Sequence, residues 1–209
     1  MADNIKICKS AEADAAEVLK LQYAAYQSEA ELYNDFNIQP LTQTLDELVA
    51  EYKKGVVLKA VLDGEIIGSV RAYAEGGTVY ISKLIVHPDH QGKGLGRRLL
   101  SNIERTLTEK RFELFTGAKS ERNLRLYEKA GYKRFREETS ESGPTLVYLE
   151  KKADNGSNMA LGLCIGVLAG AALDFIFGDS GYWMPVGLGF GLAFGGFYPQ
   201  IKSKLFNGK

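Results

Sequence analysis

Cysteine is scarce in this chain of 209 residues: Cys8 and Cys164 are the only two, far apart in apolar surroundings and without metal-ligand spacing. Such usage excludes a disulfide framework and fits a reduced, intracellular chain. Neither sign of charge is in surplus. Lys and Arg total 26 against 26 Asp and Glu, and three of each sign follow Ala153, so the region before it is balanced too. No nucleic-acid partner is expected, because phosphate-backbone binding needs a basic surplus on some surface. The first residues, Met1-Ala2-Asp3-Asn4-Ile5-Lys6, lack the apolar run of a secretory signal, and a cytosolic N-terminal domain is expected. Histidine is confined to His87 and His90, which flank Pro88-Asp89 and read as loop residues rather than ligands. No metal site is expected.

Charge is missing altogether over one long stretch. From residue 158 to 198 the only charged side chains are Asp174 and Asp179, and ten residues are glycine. Two regions with different solvents follow: a domain over residues 1–152, a polar linker at 153–158, a glycine-rich two-helix hairpin at 159–201 and a basic tail at 202–209. Residues 159–177 would span about 28 Å as a helix, and 182–198 form a second segment just long enough to cross a bilayer. Gly162, Gly166 and Gly170 recur every fourth residue, as do Gly187, Gly191 and Gly195, clearing one face of each helix for close contact. The turn would be Gly178-Asp179-Ser180-Gly181. Phe175, Phe177, Tyr182 and Trp183 cluster at one interface, while Lys151, Lys152, Lys202, Lys204 and Lys209 lie at the other, the cytoplasmic one. By spacing, Asp174 would face the partner helix. Membrane lipid is the expected partner, with homo-oligomers through the glycine faces a further expectation.

Before the linker, apolar periods alternate between two and roughly 3.6 residues, which predicts an α/β domain of α+β layer type. Residues 5–9 alternate as a strand, and 14–28 place Val18, Leu19, Tyr23 and Tyr26 at helix spacing. A less regular acidic and aromatic stretch follows. Thr44-Leu45-Asp46-Glu47 is a capping box for a helix through Lys54, with Gly55 as a left-handed terminator. Asp63-Gly64 and Gly76-Gly77 turn the chain between Val56–Leu62, Glu65–Glu75 and Thr78–Val86, giving three antiparallel strands. Residues 94–110 read as a helix, 112–116 as a strand, 120–130 as a helix capped by Gly131, and 132–138 and 145–151 as closing strands. The order is βααβββαβαββ.

Chemistry concentrates where the strand ending Ile85-Val86-His87-Pro88 runs into Gln91-Gly92-Lys93-Gly94-Leu95-Gly96-Arg97-Arg98 and then a helix. Glycines there let a diphosphate approach the unpaired amides of a helix N-terminus, whose dipole favours negative charge. Lys93, Arg97 and Arg98 would add positive charge. The dinucleotide fingerprint is excluded, because its third glycine site falls on Arg97 and antiparallel hairpins, not a βαβ unit, precede the loop.

Leu84-Ile85-Val86-His87-Pro88, Gln91-Gly92-Lys93-Gly94-Leu95-Gly96 and Leu126-Tyr127-Glu128-Lys129-Ala130-Gly131-Tyr132 together resemble the motifs of the GNAT N-acetyltransferases, in their usual order, over about the first 150 residues. The resemblance implies a mixed central sheet with flanking helices and acetyl-CoA in a V-shaped gap between strands 78–86 and 112–116. Leu84, Ile85 and Val86 would offer backbone hydrogen bonds, and Gln91, Gly92, Lys93, Gly94, Leu95, Gly96 and Arg97 would hold the diphosphate.

Acetyl transfer to an amine requires a route for the amine's proton, stabilisation of an oxyanion and protonation of the leaving thiolate. Taken alone, Tyr127 at helical spacing with Leu124 and Ala130 reads as a core tyrosine; inside the motif, the resemblance makes it the acid for the thiolate. Many family members carry Asn seven residues earlier, where this chain has Ser120, so either Ser120 or Asn123 would hold the pantetheine arm, and Ser120 could cap its helix as well. The base is open among Glu113, Glu75, Glu29 and a water. Residues 27–36 fall where the acceptor pocket is expected, and their acids and aromatics suit a cationic amine, small or on a protein; the alternative is an amphipathic helix with Leu32 and Phe36 inward and the acids in water. A CoA-binding sensor without turnover, and a glycine-zipper membrane module regulated by the soluble domain, are the competing functions.

Overall fold

The computed structural model describes residues 4–107, 109–139, 144–153 and 157–177, together with positions 185, 186, 188 and 190. The chain divides into two compact units, Met1–Ala153 and Asp154–Lys209. In the first unit the order is β1 (Lys6–Lys9), α1 (Ala15–Tyr33), α2 (Gln39–Thr42), α3 (Leu45–Lys54), β2 (Val56–Leu62), β3 (Glu65–Glu75), β4 (Thr78–Val86), α4 (Leu95–Thr106), β5 (Arg111–Gly117), α5 (Glu121–Lys129), β6 (Lys133–Thr139) and β7 (Thr145–Lys152). All seven strands form one sheet, ordered β1-β2-β3-β4-β5-β7-β6.

Local chemistry accounts for the first half of that sheet. Asp63 and Gly64 have φ of 51° and 92°, and Gly76 and Gly77 have 56° and 77°. Positive φ at both central residues makes the tight turn whose twist matches that of paired strands. Thr44 and Glu47 close the reciprocal cap of α3: the Thr44 amide donates to the Glu47 carboxylate at 2.8 Å and the Glu47 amide to the Thr44 hydroxyl at 3.3 Å. Gly55 does not end α3 through a left-handed conformation. Its backbone is extended, and glycine is required because a Cβ would lie 2.2 Å from the Ala72 carbonyl oxygen.

Two apolar layers sandwich the sheet. On one face, Val18, Leu19 and Leu21 of α1 and Leu48 of α3 pack on Ile66 and Ile85. On the other, Leu95, Leu99, Leu100 and Ile103 of α4 and Leu124 of α5 join Ile67, Val70, Val79 and Leu149. Burying each of these side chains contributes about 1.5–3 kcal/mol, so α4 and its N-terminus are held at a fixed height against β3. The helix stops at Thr106, earlier than the sequence pattern suggests, because Leu107 is already extended. Conversely, α1 runs on to Tyr33 and ends on Asn34 in the left-handed conformation.

What opens the sheet is its one parallel pair. β4 and β5 are in register only at Thr78–Arg111, Val79–Phe112 and Tyr80–Glu113. Beyond Tyr80 the strands part, so the β5-facing backbone groups of the rest of β4 have no strand partner. A bulge adds to the divergence: Ser82 faces Arg71 and Ile85 faces Ser69, leaving Lys83 and Leu84 opposite Val70 alone.

The second unit contains α6 (Ser157–Phe177). Residues 157 and 158, expected in the linker, are therefore helical. Side chains at 157–162, 170, 173–174 and 177 lie outside the described residues, and those that are described expose Ile165, Leu168, Phe175 and Ile176. Among the described residues no helix is long and apolar enough to cross a membrane. The expected turn at 178–181, most of the second helix at 182–198 and the tail at 202–209 lie outside the described residues.

Candidate active site

The parting of β4 and β5 creates a cleft of about 420 Å³ walled by α1, the α1–α2 connection, β4, β5 and α5. Leu84, Val86, Gln91, Arg122 and Asn123 are shared with a second groove of about 370 Å³ that runs to the α4 N-terminus. The two make one continuous trough. At its α4 end stand Gly92, Gly94, Leu95, Gly96 and Arg97. Gly92 and Gly94 have φ of 74° and 80°, a left-handed conformation that side chains disfavour. Since the first intrahelical bond here is Arg98 N–H to the Gly94 carbonyl at 3.1 Å, the amides of Leu95, Gly96 and Arg97 are left as free donors. Such a terminus accommodates a diphosphate.

The basic side chains near it differ from those expected. Lys93 turns back to the Asp89 carbonyl at 2.9 Å, and Arg98 donates to the Ile5 carbonyl at 3.0 Å. Neither lines the groove. Their places are taken by Arg122, Arg125 and Lys129 of α5, beside Arg97. Gln91 ties the turn to the strand, its amide donating to the Val86 carbonyl at 2.9 Å and its oxygen accepting from Arg122.

Tyr127 is buried on α5, edge-on to Tyr132 with ring centroids 6.2 Å apart. The phenol lines the cleft, and its hydroxyl is not among the sealed-off polar atoms that lack a partner. Burial, reinforced by Tyr26 and Glu29, pushes its pKa well above the ordinary tyrosine value. It is therefore a neutral proton carrier at any physiological pH.

Of the carboxylates considered, Glu29 reaches this region. It lies on α1 with Tyr26 and Tyr33, at the i, i+3 and i+7 spacing of one helix face, and all three line the cleft. The Ser120 hydroxyl donates to it. Ser120 consequently does not cap α5 with its side chain. Asn123 donates to the Thr116 hydroxyl at 3.4 Å and lines both parts of the trough. Glu113 is elsewhere: it is in register with Tyr80 at the closed end of the strand pair and bonded to Arg111 at 2.9 Å, away from the cleft lining. Glu75 pairs with Thr78 at an exposed turn. Leu32 and Phe36, placed inward by the amphipathic alternative, are 44% and 54% exposed.

Several residues of the site escaped sequence reasoning. Arg71, buried in mid-β3, donates to Glu51 at 2.7 Å, to Gln43 at 3.2 Å and to Gln22. Gln22 continues to the Pro40 carbonyl at 2.7 Å, and Tyr23 to the Gln43 carbonyl at 2.6 Å. This network pins the connection between α1 and α3, which forms one wall of the cleft. An arginine within the apolar run Ser69-Val70-Arg71-Ala72 was the available signal, since a buried charge demands partners. Tyr33 latches the same wall to β5 by accepting from the Lys119 amide at 2.7 Å, over a Gly117 that has no room for a Cβ. Lys83, at the bulge, also faces the cleft.

A half-open parallel strand pair, free amides at a helix N-terminus and a buried phenol on the cleft wall are the parts that acyl transfer from a diphosphate-bearing thioester would need. The Acetyltransferase (GNAT) family model matches residues 17–132. The chain belongs to that family. UPF0157 protein YqkA of Bacillus subtilis (strain 168) is 27% identical over 121 residues, 57% of this chain and 35% of that protein; this chain thus spans about a third of that relative's length. Among solved structures, PaiA N-acetyltransferase from Thermoplasma acidophilum, in complex with coenzyme A, aligns with TM-score 0.61 at 16% identity, covering 71% of this chain and 99% of its own. Salmonella typhimurium yncA, solved with its cofactor acetyl-CoA, gives 0.58 at 22%, covering 72% and 94%. At such identities these two speak for the fold.

Proposed function

We propose that this protein transfers the acetyl group of acetyl-CoA to an amine held in the α1 lobe of the cleft, with Tyr127 as the acid and Glu29 as the proton acceptor. The observation that carries it is that Tyr127 and Glu29 line the same cleft, near enough that Glu29 acts on the phenol, while the Ser120 hydroxyl donates to Glu29. With the diphosphate on the amides of Leu95, Gly96 and Arg97, the pantetheine arm runs between β4 and β5 past Asn123, and the thioester reaches Tyr127. The amine nitrogen attacks the thioester carbon, and an unpaired β4 amide holds the oxyanion. As the C–S bond breaks, sulfur takes the phenolic proton, and Glu29 receives the proton lost by the amine, directly or through water. The test of this role is direct: Glu29→Gln should lower kcat/KM for amines at neutral pH, and the loss should shrink as pH rises toward the amine's own pKa, where solvent supplies the neutral nucleophile. A variant as active as the parent at every pH would remove Glu29 from the mechanism. Binding of CoA with no release from acetyl-CoA across a broad amine panel would favour a sensor.

The same reading makes the glycine-patterned sequence from residue 159 onward a membrane hairpin that holds the domain at the cytoplasmic face. Support comes from the near absence of charge there and from Ile165, Leu168 and Phe175, exposed by 60%, 71% and 91% on α6. The full chain should stay with membranes through carbonate extraction. Purification without detergent as a defined soluble oligomer would overturn this assignment and leave the catalytic one intact.

A further inference from the structure

Lys83 is, among the described residues of the cleft, a cation without a carboxylate of its own. Its ammonium donates to the Gln39 side-chain oxygen and sits 5.7 Å from the centre of the Tyr26 ring. The charges that act on it most do not neutralise it: they are Arg71 and the half-buried Glu51, and Glu51 is already bonded to Arg71 at 2.7 Å and to Gln43 at 2.6 Å. Two cations thus share one anion. Burial, with repulsion from Arg71 and only partial relief from Glu51, lowers the Lys83 pKa to about 8.

The backbone at this position is also unusual. Lys83 has φ of 49°, one of three non-glycine residues with positive φ among those described. Glycine or asparagine would serve a simple bulge better, so a lysine kept in that conformation points to a use for its ammonium. Gln39 strengthens the case. An ammonium only donates, so the amide must turn its oxygen to Lys83, and its Nε2 stays available as a second donor on a residue that lines the same cleft. Other walls of that cleft carry the carboxylates of Glu29 and Asp35. Anion-seeking and cation-seeking groups therefore share one chamber.

Building on the amine-acetylation reading above, we propose that the acceptor is an amine that also bears a carboxylate, as an amino acid does, and that Lys83 with Gln39 receives that carboxylate while the amine points to Glu29. One ammonium and one amide suit a singly charged anion. A phosphate monoester, with charge near −2, would call for more donors, and a polyamine would be repelled by Lys83 and Arg71.

The test uses the full chain, acetyl-CoA and a panel of α-amino acids, each matched with its carboxamide and its decarboxylated amine. The parent should prefer the carboxylate member of a pair by about tenfold or more in kcat/KM, mainly through KM, as expected for a charge-assisted contact. The carboxamide's amine is the less basic, so this bias runs against the proposal. Lys83→Met should erase the preference and Lys83→Arg should restore part of it, while coenzyme A affinity, measured as a check on folding, is the same in all three. Calorimetry of N-acetyl amino acids against their carboxamides, on the coenzyme A complex, asks the same question without turnover: the acid should bind tighter to the parent, not to Lys83→Met. Equal handling of charged and uncharged pairs by the parent, or a preference that survives in Lys83→Met, overturns the proposal. Failure of every amine to be acetylated while the acid still binds through Lys83 would instead overturn the catalytic reading.

Discussion

Tyr127→Phe separates catalysis from stability more cleanly than any other change in this protein. The ring is 7% exposed and keeps its edge contact with Tyr132, so a phenylalanine retains the burial. The hydroxyl donates to no acceptor among the described residues and opens on the cleft, so removing it breaks no internal hydrogen bond that would cost about 1 kcal/mol. The melting midpoint should therefore move by no more than the equivalent of about 0.5 kcal/mol. Coenzyme A affinity should be as unaffected. Turnover is another matter, because in the proposed mechanism the departing thiolate takes its proton from this hydroxyl. Even a tenfold fall in kcat corresponds to about 1.4 kcal/mol of transition-state stabilisation, and general-acid assistance commonly reaches a hundredfold or more. The assay is CoA release followed by thiol reagent under saturating acetyl-CoA, beside calorimetric binding and thermal unfolding of the same preparations. An unchanged kcat would show that sulfur is protonated by something else. A fall in kcat matched by lost coenzyme A binding would mean the hydroxyl positions the cofactor rather than supplying a proton.

Gly94→Glu should weaken coenzyme A binding by at least about tenfold, read by calorimetry, while Gly94→Ala loses less; no protein atom lies within 4 Å of a Cβ built there, so the difference reports ligand space and charge, and equal affinity for all three proteins would displace the diphosphate from this turn. Lys83→Met should raise stability at neutral pH. The folded-state pKa of about 8 lies below the ordinary 10.5, so protonated Lys83 costs stability in full below about pH 8, and the cost fades between there and 10.5. Those values set a ceiling of about 3 kcal/mol, and partial exposure reduces the expected gain to about 1–2 kcal/mol. Urea unfolding should show that gain at pH 7 and little of it above pH 10, and a gain independent of pH would assign it to packing.

Much of the fold was legible because the chain states it locally. Asp63-Gly64 and Gly76-Gly77 each impose a turn that few other dipeptides make, and the Thr44 box names its helix start outright. Tyr127 and the glycine turn were legible as a pattern. What was not legible depends on distant partners. Strand parity puts Glu113 on the same side as Phe115, but nothing in the local sequence says that β4 and β5 part just past it. Past Ser28 the sequence is neither apolar nor regular, so the helix seemed to end there, and the face that joins Tyr26 to Glu29 and Tyr33 was not visible as one surface. Arg71 could be recognised as needing partners, but Gln22, Gln43 and Glu51 are polar residues of ordinary appearance until the fold gathers them. Lys93 and Arg98 were assigned to the diphosphate by nearness in sequence, and Arg122, Arg125 and Lys129 arrive there from another helix.

The placement of β7 between β5 and β6 bears on synthesis as well as on shape. From β1 to β4 each strand pairs with the one just made, so that half of the sheet can zip up as the chain emerges. β5 has only three residues of β4 to hold, and among the described residues β6 pairs with β7 alone. Both must wait for Thr145–Lys152, the last strand of the unit, which pairs along the full length of β5. A nascent chain halted before Thr145 would thus carry a finished first half-sheet with its β4 edge bare, and the second wall of the acetyl-CoA cleft would come into being only as the segment leading to α6 is made.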